Sequence, residues 1–280
     1  MNCINNLVKV VAQRINWQAM FRLLIFSLCL SGLSLRADIS TNLPSTQAGI
    51  AEFNAAFQAW NGERFARASE IFQQATVREP NNATNFYWLG VAEFHHMLQL
   101  RSTPGNDDAA EAAQKRALDA LTSAVKLDEH NAECHALLAT IYGIRIGDRW
   151  IRAFRLGPSA MSHSKTAMKE GATNPRVRYL LATGKYYMAD GETDLRKALD
   201  DLLLAETYFA REATNTASAL EPRWGRSSCH TFIGLTYEKL GDRSHAAEYF
   251  RKSLAEHPAD NLARTGLNRV TEANQVAEHP

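Results

Sequence analysis

The residues of this chain best placed for chemistry are Glu93 with His95-His96, Cys134 and Cys229, the group Ser159, Ser162, His163 and Ser164, and the acids Asp190, Glu192, Asp194, Asp200 and Asp201. A carboxylate beside two imidazoles suits a divalent metal, a serine beside a histidine suits acyl transfer, and grouped acids suit calcium. Their spacing argues against each. Adjacent residues of a helix point about 100° apart, so His95 and His96 cannot chelate one ion, and one surface and one half-buried ring are expected. The serines and His163 are neighbours in sequence only. The chain has no Gly-x-Ser-x-Gly elbow, Gly-rich phosphate loop or His-Glu-x-x-His pair, and no credible Cys–His pair. The acids lack calcium-loop spacing and read as helix caps, while His135 and His230 read as core-edge rings. No catalytic residue, metal or cofactor is expected, and the chain reads as non-catalytic.

The elements that would carry these residues are helices. With Ser227 as position 1, Ile233, Gly234 and Tyr237 fall at 7, 8 and 11, and Ala246, Phe250 and Pro258 at 20, 24 and 32. Gly234 and Ala246 are small enough for two helices to approach closely. Tyr237 and Phe250 fill the space between neighbours, and Pro258 ends the second helix. The stretch resembles one tetratricopeptide repeat (TPR), a helix–turn–helix unit of about 34 residues. One such unit cannot bury its own apolar face, so further repeats are expected upstream. The fold class is therefore all-α, a TPR-type α-solenoid of about five helical hairpins and a C-terminal capping helix.

The units fall at about 49–82, 83–131, 132–175, 176–226 and 227–260, with a cap helix over 261–272. In the first, Ala68, Phe72, Ala75 and Pro80 keep the spacing. In the second, Gly90 keeps position 8, but Ala117, Leu121 and Ala124 fit only if about 15 residues are inserted, read as a loop over 101–108 with an Asp cap. In the third, residues 143–155 hold Ile144, Ile146, Trp150, Ile151 and Phe154, an apolar set expected to cover part of the array. Leu156-Gly-Pro158 then opens the second helix, with Pro158 in its first turn. The fourth carries Tyr179, Ala182 and Tyr186 on an inner stripe and Leu199, Leu202, Leu203 and Phe209 on a long second helix. In the cap, Leu262, Leu267 and Val270 are expected to turn inward and Arg264, Asn268 and Arg269 outward. Cys134 and Cys229 lie two repeats apart, roughly 20 Å, too far for a disulfide, so both are expected to be free, half-buried thiols.

Residues 1–37 carry four cations, no acid, and an apolar stretch of 13 residues over 23–35. That is too short to span a membrane and suits a secretory signal peptide. Cleavage is read after Ala37 or Ser34, Met20 opens a complete leader by itself, and Leu28 before Cys29 disfavours a lipoprotein anchor. Residues 38–48 read as a linker. The whole chain has 31 basic and 30 acidic residues; without the leader 27 face 30, a net charge of −3. With no basic run, nucleic acid is not an expected partner. No stable membrane span is expected after leader removal.

Tyr142-Gly-Ile-Arg-Ile-Gly147, Leu156-Gly-Pro158, Asn174-Pro-Arg176, Lys197-Ala-Leu199 and Pro222-Arg-Trp-Gly225 occur in order before the last repeat. This series is similar to a group of signal-peptide-bearing bacterial TPR proteins with enlarged central repeats, over roughly residues 85–265. The resemblance implies an exported, periplasmic protein and no catalytic residues. Gly191 stands alone where that group often carries a Gly-Gly pair.

TPR first helices line a concave face. There Ile50, Phe53, Phe57 and Trp60, then Thr84, Tyr87, Val91 and Phe94, would form an aromatic groove suited to an apolar peptide or partner helix. Phe57, Trp60, Tyr87, Val91 and Phe94 are the expected peptide-binding residues, with core packing of the first-repeat rings, or filling of the groove by 38–48, as alternatives. The Lys/Asn/Arg clamp that holds a C-terminal carboxylate is absent, because Phe53, Phe57 and Trp60, then Ala136, Thr140 and Gly143, stand at its positions. The expected function is an exported scaffold that binds a protein or peptide through its concave face. The alternative is a small-molecule or glycan-binding module using Trp150, Trp224, Tyr186 and Tyr187.

Overall fold

Asparagine begins most of the hairpins. A computed structural model describes residues 45–147, 149–215 and 218–278, with side chains described to 272. The leader, its cleavage sites and most of the linker lie outside these residues. Eleven helices occupy the described chain: α1 Thr46–Ala59, α2 Gly62–Arg78, α3 Ala83–Arg101, α4 Asp107–Leu127, α5 Ala132–Ile146, α6 Trp150–Glu170, α7 Pro175–Met188, α8 Glu192–Ala213, α9 Arg226–Lys239, α10 Arg243–Glu256 and α11 Asn261–Glu278. The side chains of Asn61, Asn82, Asn131 and Asn174 each accept from an N–H of the first turn of α2, α3, α5 and α7, satisfying donors that the helix leaves open. Consecutive helices pair as hairpins, α1–α2 through α9–α10, and α11 closes on α10.

The small positions do what their spacing implies. A Cβ on Gly90 would stand 2.5 Å from the Leu121 side chain, and one on Gly234 would stand 2.7 Å from the Phe250 ring. A Cβ on Gly266 would also collide with Phe250, so this ring is wedged between α9 and α11. Ala117 and Ala246 are fully buried at the matching crossings. Tyr237 stacks on Tyr249 at 5.8 Å between ring centres. Pro258 follows the last turn of α10.

Several expected boundaries move. The first helix begins at Thr46, inside the stretch read as linker, because Ser45 caps it. The enlargement of the second unit is not a loop over 101–108. Both helices lengthen, to 19 and 21 residues, and only 102–106 connect them. In the third unit the second helix starts at Trp150, so Pro158 lies inside it rather than in its first turn. Trp150, Ile151 and Phe154 therefore ride on the exposed face of α6 and cover nothing. In the cap, Val270 and Ala263 face inward, Leu267 is half-buried and Leu262 is exposed. The inward stripe of α11 starts one residue after Leu262, at Ala263, and continues through Gly266 and Val270.

Candidate functional site on the concave face

Of the five residues expected to line an aromatic groove, Phe57, Tyr87, Val91 and Phe94 are buried and Trp60 is half-buried. They form core, not an open groove. Tyr87 meets the chain between α8 and α9, and Phe57 and Trp60 meet the end of α10; residues 38–44, most of the segment read as an alternative filling, lie outside the described residues. Trp224 rests edge-on to His95 at 5.1 Å, and its indole N–H donates to Tyr87 Oη over 3.2 Å. The indole N–H of Trp88 donates to the Leu220 carbonyl at 3.0 Å. His257, just past α10, stacks on Phe57 at 4.8 Å and lies 6.0 Å from Trp60. The last hairpin and the α8–α9 connection thus meet the first two units across the concave side through side chains. Trp60 itself caps α1 in the left-handed region at φ 47°, with its indole N–H directed at Ser102 Oγ, 3.4 Å away.

Beside this plug lies a buried polar cluster that the spacing alone does not reveal. Arg176, at the start of α7, donates to Glu133 of α5 at 2.8 Å and to both carboxylate oxygens of Glu212 in α8 at 2.9 and 2.5 Å. Glu133 also accepts from Tyr87 Oη at 2.5 Å and from Asn174 Nδ2 at 2.7 Å. Arg176 lies 6.0 Å over the ring of Trp224 and 6.0 Å over that of Phe209. Burial would favour a neutral Arg176, but Glu133 and Glu212 outweigh it and hold the cation firmly charged. Burial, and then the Glu133 carboxylate, push the Tyr87 phenol well above its ordinary value, so it stays a donor. The signals for this site were the Asn174-Pro-Arg176 and Pro222-Arg-Trp-Gly225 motifs, which carry no chemistry of their own in sequence. Gly225 sits at φ 104°, where an added Cβ would stand 3.2 Å from Phe209, so only glycine lets the chain turn there after Trp224.

Two cavities flank the plug. One, of about 430 Å³, is lined by Thr84, Tyr87, Asn131, Glu133 and Asn174 together with Ser218, Leu220, Glu221 and Pro222. It opens where the first turns of α3, α5 and α7 converge. The other, of about 240 Å³, lies between Phe57, Trp224, Arg223, Arg226 and Glu256.

The other chemical candidates take structural places. His95 is buried rather than half-exposed, and His96 lies 4.0 Å from Glu93, whose carboxylate is held by Arg116 at 2.7 and 2.9 Å. No group of three potential metal ligands occurs among the described residues. His163 meets His135, Nδ1 to Nδ1 at 2.8 Å, so its partner is a histidine and not a serine. Cys134 and Cys229 are free and fully buried, deeper than the half-burial expected, and burial raises both thiols well above their usual range. Gly191 holds the N-cap position of α8, and Glu192 and Asp194 stand in its first turn. Glu192 pairs with Arg196, Asp194 with Lys197, and Asp201 with Arg178 and Lys185. Of the four aromatics expected for a glycan site, Trp224 and Tyr186 are buried and Trp150 and Tyr187 exposed. Trp224 alone of the four lines either cavity.

No family model matches the chain, and no curated protein matches it. Solved structures do. A thermophilic TPR protein of Thermus thermophilus is 17% identical with a TM-score of 0.54, over 80% of this chain and 99% of that one. The APC/C hetero-tetramer Cut9–Hcn1 matches at 13% identity and a TM-score of 0.52, over 91% of this chain and 40% of that one. At such identities the likeness concerns the fold alone: this is an all-α, TPR-type α-solenoid.

Proposed function

We propose that this protein is a non-catalytic scaffold, exported through its N-terminal leader to the periplasm, that binds an extended segment of another protein on its concave side. The observation that supports this most is the crevice of about 430 Å³ at the first turns of α3, α5 and α7. Thr84 of α3 and Ser218 and Glu221 of the α8–α9 connection present hydrogen-bonding groups there. An extended chain needs such groups for its peptide units, and TPR arrays offer them on the inner face. The charge balance favours a cation. The charged side chains lining the crevice are both carboxylates, Glu133, which Arg176 pairs, and Glu221 at the rim. A segment bearing Lys, Arg or a free amino terminus therefore fits better than a carboxylate tail.

Selection of a random peptide library on the full chain tests this. Basic peptides should be enriched, and Glu221→Lys should weaken them by about tenfold or more, because a rim carboxylate becomes a like charge. Absence of peptide enrichment, together with a melting-temperature rise on adding an oligosaccharide, would favour a glycan-binding module instead. Export is read from the N-terminal residue of the protein recovered from its cells, expected after Ala37 or Ser34.

A further inference from the structure

Helix α6 has two apolar faces, and only one of them is used. At about 100° per residue, Leu156, Ala160, His163 and Ala167 fall on the side turned to α5. Trp150, Phe154, Met161, Pro158 and Ile151 fall within an arc of about 100° on the opposite side. Of these, Trp150 is 79% exposed, Phe154 84% and Met161 74%, while other large apolar residues of the molecule are mostly buried. Single exposed apolar residues are ordinary, but four large ones on three turns of one helix form a surface.

Charge says what that surface meets. Residues 134–169 hold six Lys or Arg and one acid, Asp148. Arg145, Arg149, Arg152 and Arg155 are exposed, and none forms an ion pair with a described carboxylate. Arg155 borders the apolar arc and Lys165 continues it about three turns past Phe154. A second copy of this face would bring arginines against arginines. The helix, at 21 residues, is not apolar enough to cross a bilayer. Aromatic rings with cations beside them, Arg155 at one edge and Lys165 beyond Met161, are the composition of a helix that lies in the headgroup layer of an anionic membrane, its rings at the acyl boundary and those cations on lipid phosphates.

The geometry points to the exposed face of α6, centred on Trp150, Phe154 and Met161, as a docking surface for an anionic lipid bilayer. It is separate from the crevice proposed for peptides and does not depend on that reading.

The test places the photoreactive residue p-benzoylphenylalanine at Phe154, or at exposed Val77 on α2 as control, in the full chain. The apolar stretch 23–35 can itself bind lipid, so the readout is adduct formation at the labelled position. The probes are phosphatidylcholine vesicles with or without phosphatidylglycerol. Lipid adducts are expected at 154 and not at 77, on anionic vesicles. Two cations, each worth about fivefold, give roughly 25-fold in affinity, so Arg155→Gln with Lys165→Gln should reduce adducts at 154 about tenfold or more. The melting temperature of the double variant, unchanged, shows that its fold survives. Equal adducts on neutral and anionic vesicles, equal adducts at 77, none at 154, or crosslinking of 154 to a second copy or another protein in place of lipid would each overturn the proposal.

Discussion

His95 is enclosed by the rings of Phe53, Phe57, Phe65, Phe94 and Trp224, with centroids 5.1 to 6.2 Å away, and Nδ1 bonds the Val91 carbonyl at 2.8 Å. Burial lowers its pKa from 6.5 to about 4, helped by His257. Between those values the unfolded chain binds the proton and the folded one does not, so stability present above pH 6.5 falls as pH falls towards 4. Burial shifts His96, His163 and His257 in the same direction. The His95 contribution amounts to about 3 kcal/mol between pH 7 and 4. Urea unfolding at both pH values should show His95→Phe reducing the acid loss by about that amount. An unchanged loss would mean that His95 does not titrate on unfolding. In the sequence His95 and His96 are simply adjacent. The burial that makes one of them acid-sensitive comes from rings in α1, α2, α3 and the α8–α9 connection, so no local pattern announces it.

At the scale of the hairpin, the glycine positions decide how close helices come. An Ala at Gly234 would press into Phe250, which cannot retreat because Gly266 of α11 holds its other side. Gly234→Ala should therefore cost about 1–3 kcal/mol despite its better helix propensity. Gly184 of α7 is the control, because a Cβ there meets nothing within 4 Å. Gly184→Ala should be neutral or stabilising by about 0.5–1 kcal/mol. Chemical denaturation of both variants checks the pair, and equal effects would count against close packing at Gly234. This level was legible: Gly90, Ala117, Gly234, Ala246 and Phe250 hold the contacts their spacing implied. The insertions were less so, since extra residues that extend two facing helices carry the same periodicity as the helices themselves. Pro158 also misled, because its proton-less nitrogen suits a first turn and yet is accommodated inside α6.

At the scale of the whole described array, contacts run between hairpins far apart in sequence. Ordinary solenoids couple each repeat only to its neighbours. Here Trp224 joins the fourth unit to the second, and His257 joins the fifth to the first. Trp224→Ala should cost about 3–5 kcal/mol, as for a fully packed ring. It should also speed amide exchange in α1 and α3, more than 100 positions away in the chain. Exchange confined to residues around 224 would show that the units unfold independently.

The sequence alone determined the helices, their pairing and the sockets at their crossings, because small and large residues at fixed offsets act within one hairpin or between adjacent ones. It also carried the Asn174-Pro-Arg176 and Pro222-Arg-Trp-Gly225 motifs without their purpose. Only the tertiary structure decided that these motifs meet around Tyr87 and Glu133, that the expected aromatic groove is core, and that Trp150 and Phe154 face outward. The physical reason is that exposure and charge pairing depend on which distant segment fills a concave surface. An apolar residue at a helix position has the same local pattern whether a tryptophan from another unit covers it or solvent does.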